Sequence, residues 1–292
     1  MLQADFKIPP STVQKDGTTA IDTAEHSQHL LLPTSLPAIT DSHLTEPSLP
    51  PTADLLTCRT KSNTMAEGRP APLRLGSIAP NFQAETTTGP IDFHEFIGDK
   101  WVVLFSHPED YTPVCTTELG AFAKLEPEFT KRGVKLIGLS ANTIDSHAGW
   151  IKDIDEISGS KLSFPIIGDK QRQVAYAYDM LDHQDATNVD SKGIAFTIRS
   201  VFIIDPKKTI RLILSYPAST GRNTAEVLRV VDSLQTGDKN RITTPINWVP
   251  GDDVIVHPSV SNELAKELFP DFKIVKPYLR FTPLPKEKTS AV

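Results

Sequence analysis

The chain has 292 residues, of which 39% are hydrophobic and 23% charged, a composition typical of a globular protein with one substantial core and an appendage. A formal net charge of -6 without a concentrated basic surface argues against a nucleic-acid partner, and no apolar run approaches the roughly 18 residues that a membrane span needs. The two cysteines cannot form a disulfide framework, which favours a reducing compartment.

The first part of the chain, residues 1–70, differs in composition from the rest. Its first 64 positions contain seven prolines and seventeen serines or threonines, and Phe6 is their only aromatic residue. Such a segment buries too little apolar surface to offset the entropy that is lost on ordering. We therefore expect a disordered extension rich in proline, serine and threonine over residues 1–70, and this extension carries Cys58.

The same segment bears on the cellular address. Mitochondrial transit peptides are rich in arginine and poor in acids, whereas here no arginine precedes Arg59 and seven acidic residues do. The composition therefore favours a cytoplasmic protein. Met65 is a plausible alternative start, so three interpretations of the preceding residues stay open: a targeting segment, a regulatory tail or an extension of the gene model.

From Leu73 onwards, patterns of strands and helices alternate. Apolar runs at 101–106 and 134–140 predict two buried strands. Between them, four apolar residues recur at helical spacing, namely Leu119, Phe122, Leu125 and Phe129. The two strands are therefore expected to be parallel and joined by a right-handed helical crossover. A further helix is predicted at 146–157, where the apolar residues again share one face.

The second half of the chain continues the alternation. Strands at 199–204 and 209–215 flank a proline turn at 205–208 and predict a hairpin. A helix then begins at the capping pair of Asn223 and Glu226 and ends at Gly237. The residues after about 240 are loop-rich, with one helical stretch at 261–268. Strands interleaved with helices predict an α/β sandwich.

Cys115 lies where the first of these strands gives way to a helix. Thr112 has the place of the N-cap, and Pro113 that of the first helical residue, where its fixed φ fits. Cys115 then falls in the first turn, where unpaired backbone N–H groups and the helix dipole stabilise a thiolate. The alternative is a buried core cysteine near a turn. Sites in open α/β sheets lie at the carboxyl ends of strands, which favours the reactive thiol.

A wider motif surrounds this cysteine. Pro108, Thr112 and Cys115 form the pattern Pro-x-x-x-Thr-x-x-Cys. Together with Arg199 and the stretch Pro-Tyr-Leu-Arg-Phe at 277–281, it resembles the peroxiredoxins, and especially fungal mitochondrial members of their one-cysteine, Prx6-type branch. The resemblance runs from about residue 73 to 282. It implies a thioredoxin-like fold, with a peroxidase domain over 71–237 and a smaller C-terminal domain over 238–292 that contributes dimer contacts.

The resemblance also implies an activity. The Cys115 thiolate would reduce hydrogen peroxide or an alkyl hydroperoxide, form a sulfenic acid and be regenerated by a thioredoxin or glutathione/glutaredoxin system. The resemblance implies a homodimer without cofactor or metal, a role in antioxidant defence and redox homeostasis, and a mitochondrial alternative to the cytoplasmic address. A second hypothesis shares the first chemical step: a peroxide sensor, a redox relay or a chaperone-like oligomer with little turnover.

Ionisation of the thiol cannot by itself supply the rate. A thiol of pKa about 8.5 is about 3% ionised at pH 7, so full ionisation gains about thirtyfold, whereas enzymes achieve about a millionfold or more. The substrate must therefore be positioned and its leaving oxygen stabilised.

Thr112 offers a hydroxyl one turn before Cys115, with N-capping as an alternative or additional role. Arg199 offers a guanidinium within an apolar strand; the alternative is an edge-strand arginine that points to water.

Three further residues are expected to support this site. By family analogy, Pro108 shields the thiolate from water; alternatively it only ends the strand. Glu118 orients Arg199 by a charge-assisted bond, or is an exposed charge on the helix. His107 orients the site or fills space, and a metal role is not expected because no second ligand has suitable spacing.

Two other motifs limit the function. Cys58 is either a spectator or a mobile thiol that reacts with oxidised Cys115 or carries glutathione. No Cys-x-x-Cys pair exists, which argues against a thioredoxin-type disulfide reductase.

Some one-cysteine members also carry a phospholipase site around Gly-x-Ser-x-Gly. The equivalent segment at 98–102 reads Gly-Asp-Lys-Trp-Val, with Lys100 in place of the nucleophile, so lipase activity is not expected.

Overall fold

The computed structural model describes residues 72–284, so the predicted extension and its Cys58 lie outside the described residues. The helices are α1 (Phe93–Ile97), α2 (Pro113–Lys131), α3 (Ile144–Ser158), α4 (Gln173–Ala177), α5 (Thr224–Asn240) and α6 (Asn262–Leu268). The strands are β1 (Gln83–Thr86), β2 (Gly89–Asp92), β3 (Trp101–Ser106), β4 (Val134–Ser140), β5 (Ile166–Gly168), β6 (Arg199–Ile204), β7 (Ile210–Tyr216), β8 (Ile242–Thr243), β9 (Val254–Val256), β10 (Lys273–Lys276) and β11 (Leu279–Thr282).

Seven strands form one mixed sheet in the order β2-β1-β5-β4-β3-β6-β7. β3 lies parallel to β4, with Trp101 opposite Val134, and α2 connects the two strands. This confirms the predicted strand–helix–strand unit at the predicted strand bounds. β6 pairs antiparallel with both β3 and β7 and is therefore an inner strand. The predicted hairpin is thus β6–β7, with its second strand one residue later than expected.

The side chains of β3 enter two different cores, because successive residues of a strand point to opposite faces of the sheet. Val103 and Phe105 pack with residues of α2, α3 and α5. Val102 and Leu104 pack on the other face with residues of α1 and α4. The sheet is therefore covered on both sides, as the predicted sandwich requires.

The start of α3 differs slightly from the prediction. The helix begins at Ile144 rather than 146, because Thr143 is its N-cap and the Thr143 hydroxyl accepts a hydrogen bond from the Ser146 N–H. α3 packs against α2 and carries His147 and Trp150, both buried, to the carboxyl end of β3.

The end of α5 also differs from the prediction. The helix begins after Asn223, as expected, but it continues past Gly237 to Asn240. A Cβ on Gly237 would lie 3.4 Å from the Ile242 carbonyl oxygen. Gly237 therefore lies inside the helix against the start of β8 and does not end the helix. The helix ends at Arg241, whose φ of 53° is in the left-handed region.

Beyond α5, a second sheet has the order β10-β11-β9-β8. It has a small core of its own, in which Trp248 and Val254 pack with Ala265 of α6. The predicted helix at 261–268 is α6, with Ser261 as its N-cap. Within residues 72–284, no helix is both long enough and apolar enough to cross a bilayer.

Candidate active site

Cys115 lies in the first turn of α2, beside the carboxyl end of β3, and its side chain is fully buried. Thr112 precedes the helix in an extended conformation and Pro113 is the first helical residue, as predicted. Burial alone would suit a core cysteine equally well. The polar contacts of the sulfur therefore decide between a filler and a reactive thiol.

Arg199 makes the polar contact to this sulfur. Its Nη1 donates to Cys115 Sγ at 3.2 Å and to Glu118 Oε2 at 2.7 Å. Its Nε and Nη2 both donate to the Ala218 carbonyl, at 2.9 and 2.6 Å. Arg199 is 3% exposed on an inner strand, so it does not point to water from a sheet edge. A fixed, permanent cation thus lies against the thiol.

Thr112 occupies the N-cap position, but its side chain makes no capping hydrogen bond. The hydroxyl instead donates to the Glu109 carbonyl at 2.9 Å. Pure N-capping therefore does not account for this hydroxyl. Because a hydroxyl hydrogen turns readily, the group can bind another partner near the start of α2.

Glu118 is held by two arginines, and the second, Arg222, was missed by the sequence analysis. Arg222 donates to Glu118 Oε1 and Oε2, at 3.1 and 2.7 Å, and its backbone N–H also donates to Oε1. Arg222 Nη1 reaches the carbonyls of Ser106 and Ser200. The Glu118 carboxylate is therefore buried and bridges two arginines, and it is not an exposed charge on the helix surface.

Electrostatics keeps this network ionised. Burial by itself would raise the pKa of Glu118, but the charge and hydrogen bonds of Arg222, with the charge of Arg199, hold it below its usual range. Burial lowers the pKa of Arg222 in spite of Glu118. An arginine nevertheless stays protonated at neutral pH, so the cluster carries one carboxylate between two guanidinium groups.

The depressed Glu118 pKa predicts a pH-dependent stability. A group whose folded pKa lies below its unfolded value stabilises the protein above the unfolded pKa, and this contribution is lost as the pH falls through the folded pKa. We expect Glu118→Gln to cost about 3–5 kcal/mol at pH 7, because it leaves buried guanidinium charge unpaired. The difference from wild type should shrink below the ordinary glutamate value of 4.5. Urea unfolding at several pH values checks this, and a constant difference down to pH 3.5 would contradict it.

His107 follows β3 directly and is completely buried. Its Nε2 lies 2.8 Å from Asp110 Oδ1, while Asp110 Oδ2 lies 2.8 Å from His147 Nδ1. These side chains are of metal-ligating types, and their ligand atoms lie within 4.8 Å of one another. Sequence spacing points to no second ligand for His107, but α3 brings His147 to this cluster from a distant part of the sequence. That no metal binds here stays a prediction. Pro108, the next residue, is also buried.

This geometry suits attack by a thiolate on a small electrophile. The Arg199 guanidinium can stabilise negative charge on the Cys115 sulfur that it contacts, and its bond to Glu118, which Arg222 also binds, restricts its rotation. Trp150 packs beside the residues that flank Cys115. Its ring lies 5.1 Å from that of His107, and its Nε1 donates to the Thr116 hydroxyl.

Comparisons with known proteins identify the family. Residues 75–213 match the AhpC/TSA family, and residues 233–271 match the C-terminal domain of 1-Cys peroxiredoxin. The mitochondrial peroxiredoxin PRX1 of Saccharomyces cerevisiae is 60% identical over 211 residues, which cover 72% of this chain and 80% of the yeast protein. Peroxiredoxin-6 of Homo sapiens is 50% identical over 226 residues, which cover 74% of this chain and 100% of the human protein.

Two solved structures share the fold. A cysteine-to-serine mutant of peroxiredoxin 6 from Arenicola marina superposes with a TM-score of 0.70 at 46% identity, over 73% of this chain and 99% of that chain. A yeast mitochondrial 1-Cys peroxiredoxin, described for thiol resolution via glutathione/thioredoxin systems, superposes with a TM-score of 0.66 at 57% identity, over 72% and 99%. The fold is therefore thioredoxin-like with a smaller C-terminal domain, and the chain belongs to the one-cysteine peroxiredoxins, which are thiol-dependent peroxidases.

Proposed function

We propose that Cys115 is the peroxidatic residue of this thiol-dependent peroxidase. Its thiolate attacks the terminal oxygen of hydrogen peroxide or an alkyl hydroperoxide, so that an S–O bond forms while the O–O bond breaks. Sulfur is oxidised by two electrons to the sulfenate, and the hydroperoxide proton ends on the departing oxygen as water or alcohol. The observation that carries this proposal is the 3.2 Å contact from Arg199 Nη1 to Cys115 Sγ.

Thr112 and Arg199 hold the substrate in this proposal. The guanidinium stabilises the thiolate and the charge that develops on the leaving oxygen. The Thr112 hydroxyl, which donates to the Glu109 carbonyl at rest, turns its hydrogen to a peroxide oxygen. Together they align the two oxygens with the sulfur, which supplies the part of the rate that ionisation cannot.

The supporting residues act through these groups. Glu118 orients Arg199 through the 2.7 Å bond, and the buried Pro108 keeps water from the thiolate. His107, the buried residue that precedes Pro108, orients the site. Excess hydroperoxide oxidises the sulfenate further to the sulfinic acid, which removes the enzyme from the cycle.

A peroxide-consumption assay tests the function. We expect continuous turnover when the purified protein is supplied with either a thioredoxin system or a glutathione/glutaredoxin system, because the sulfenate needs an external thiol. Protection of a client protein from aggregation is measured on the same sample. Client protection or a single oxidation event, without turnover on either system, would contradict a working peroxidase.

The reductant is a thiol, and we propose that Cys58 takes part in recycling. The yeast mitochondrial 1-Cys peroxiredoxin has its thiol resolved through the glutathione and thioredoxin systems. For this chain, peptide mass spectrometry after treatment with peroxide and glutathione should detect a Cys58–Cys115 disulfide or a glutathione adduct on Cys58. Detection of neither species would make Cys58 a spectator. Cys58→Ser is the matched control, because it removes both products and leaves Cys115 intact.

We also propose a homodimer, with a peroxidase domain over 71–237 and a C-terminal domain over 238–292 that contributes dimer contacts. The supporting observation is that β10 is an edge strand whose Ile274 and Val275 are more than half exposed, and the nearby Tyr278 is 81% exposed. Apolar side chains on an open edge favour a covering partner. A monomer in sedimentation analysis at micromolar concentration would contradict the proposal.

For the compartment, we propose the cytoplasm, with the mitochondrion as the alternative. The acidic, arginine-free composition of residues 1–58 supports the first, and the mitochondrial address in the name of the yeast relative supports the second. A fluorescent protein fused behind residues 1–70 decides between them. Its accumulation in mitochondria would overturn the cytoplasmic proposal.

A further inference from the structure

The first turn of α2, which carries Cys115, has weak support within the helix itself. The first N–H groups of a helix have no partner inside it, and Pro113 has no N–H to offer. The Thr112 side chain makes no capping bond. The backbone bond that closes this turn runs from the Thr116 N–H to the Thr112 carbonyl, at 3.0 Å. Helix ends that depend on so few bonds fray readily.

The side chain of Thr116 adds a second bond to the same carbonyl. Its hydroxyl donates to the Thr112 carbonyl at 2.8 Å and accepts from Trp150 Nε1 at 3.2 Å. An indole N–H only donates, so the hydroxyl offers it a lone pair and keeps its single hydrogen for the carbonyl. The contact with Trp150 therefore fixes the direction in which the hydroxyl donates.

Trp150 is a rigid support for this hydroxyl. It is 1% exposed, belongs to α3 and packs in the same core as Cys115. Its ring also lies 6.3 Å from that of Tyr111, the residue that precedes Thr112. Tyr111 has a φ of 56°, and a non-glycine residue keeps such a left-handed conformation only where its surroundings hold it. The indole of α3 thus contacts the chain on both sides of Thr112, through Tyr111 and through Thr116.

The neighbouring Thr117 shows what the tertiary contact adds. Its hydroxyl donates to the Val114 carbonyl at 2.8 Å, and its side chain is exposed. Such bonds from a threonine to the preceding helical turn are local and do not connect the helix to another element. Thr116 makes the same kind of local bond, but its hydroxyl is also tied to a buried side chain of α3.

We propose that Thr116 is a positioning residue for hydroperoxide reduction, because its hydroxyl joins Trp150 to the Thr112 carbonyl. The two bonds fix the turn in which the Thr112 hydroxyl and the Cys115 sulfur hold the substrate, and this inference rests on their proposed roles. The sulfur must also stay at 3.2 Å from Arg199 Nη1. A displacement of about 1 Å can cost about 100-fold in rate. Thr116 therefore contributes to the rate although it touches neither the substrate nor the sulfur.

Thr116→Val tests this role, because valine has nearly the same shape and lacks the hydroxyl. We expect the second-order rate constant of Cys115 oxidation, measured in single-turnover experiments, to fall about 10-fold, the effect of a lost hydrogen bond and an indole N–H left without its partner. Thr116→Ser keeps the hydroxyl and should restore the rate to within about twofold of wild type. Thr117→Val is the matched control: it removes a threonine hydroxyl from the same part of the helix and should also stay within about twofold.

Two measurements separate positioning from a general loss of structure. In a double-mutant cycle, Thr116→Val should cause less than about a twofold further loss in a Trp150→Phe background. In nitrogen NMR, one of the three tryptophan indole N–H signals should be absent in Trp150→Phe, and the same signal should exchange faster with solvent in Thr116→Val. Trp150→Phe also tests the bond alone if Thr116→Val does not fold, because it removes the donor and should itself lower the rate about 10-fold.

Several results would overturn the positioning role. These are a wild-type rate in Thr116→Val or in Trp150→Phe, an equal fold-loss from Thr116→Val in both backgrounds, failure of Thr116→Ser to recover the rate, or an equal loss in Thr117→Val. If the wild-type protein itself consumes no hydroperoxide, the proposed role of Cys115 falls, and that of Thr116 falls with it. If the wild type turns over and Thr116→Val matches its rate, only the role of Thr116 falls.

Discussion

Cys115→Ser is expected to abolish hydroperoxide reduction. Serine is nearly isosteric, so the contacts of Arg199 and the packing of the first core should persist. A hydroxyl does not ionise at neutral pH and is a poor nucleophile without an activating base, so the loss should reach at least about 10⁴-fold. Peroxide consumption in the presence of a thiol-regenerating system measures it.

The matched control for this variant is Cys58→Ser. It removes the other thiol of the chain, and we expect the first oxidation of Cys115 to proceed at the wild-type rate, because the sulfenate forms before any recycling thiol is needed. Normal turnover by Cys115→Ser, or loss of the first oxidation in Cys58→Ser, would contradict the assignment. The second outcome would identify Cys58 in the N-terminal extension, and not Cys115, as the cysteine that reacts with hydroperoxide.

Local signals explain which parts of this fold could be predicted. The bounds of β3 and β4 follow from continuous apolar runs, and the start of α2 from Thr112 and Pro113, because strand burial and helix initiation depend on a few neighbouring residues. The end of α5 could not be predicted in this way. Gly237 resembles a stop signal in the sequence, but it lies inside α5 against β8, and the helix continues for three more residues to Asn240.

The same distinction holds in the site. Cys115 and Thr112 stand in one short motif, whereas Arg222 lies 104 residues beyond the Glu118 carboxylate that it binds. His147 lies 37 residues beyond Asp110. No local periodicity connects such pairs, because the sheet order and the packing of α3 on α2 bring them together. Buried charge clusters of this kind are therefore found from the structure and not from local sequence patterns.

Arg199→Met should reduce the rate constant of Cys115 oxidation by about 10²- to 10³-fold. Loss of one donor that stabilises charge in a transition state commonly costs this much. Methionine fills much of the volume, and Glu118 keeps its three hydrogen bonds from Arg222, so the fold should persist. Single-turnover kinetics at saturating and limiting hydroperoxide measure the effect apart from recycling.

Two further variants show what the guanidinium contributes. Arg132→Met is the matched control: Arg132 binds Glu128 and Asp232 away from Cys115, so its loss should not change the rate. Arg199→Lys keeps the charge, but one ammonium cannot reproduce the bonds to Glu118, the Ala218 carbonyl and the sulfur at once. We expect it to recover less than a tenth of the wild-type rate, whereas full recovery would mean that charge alone, without the fixed fork of donors, stabilises the reaction.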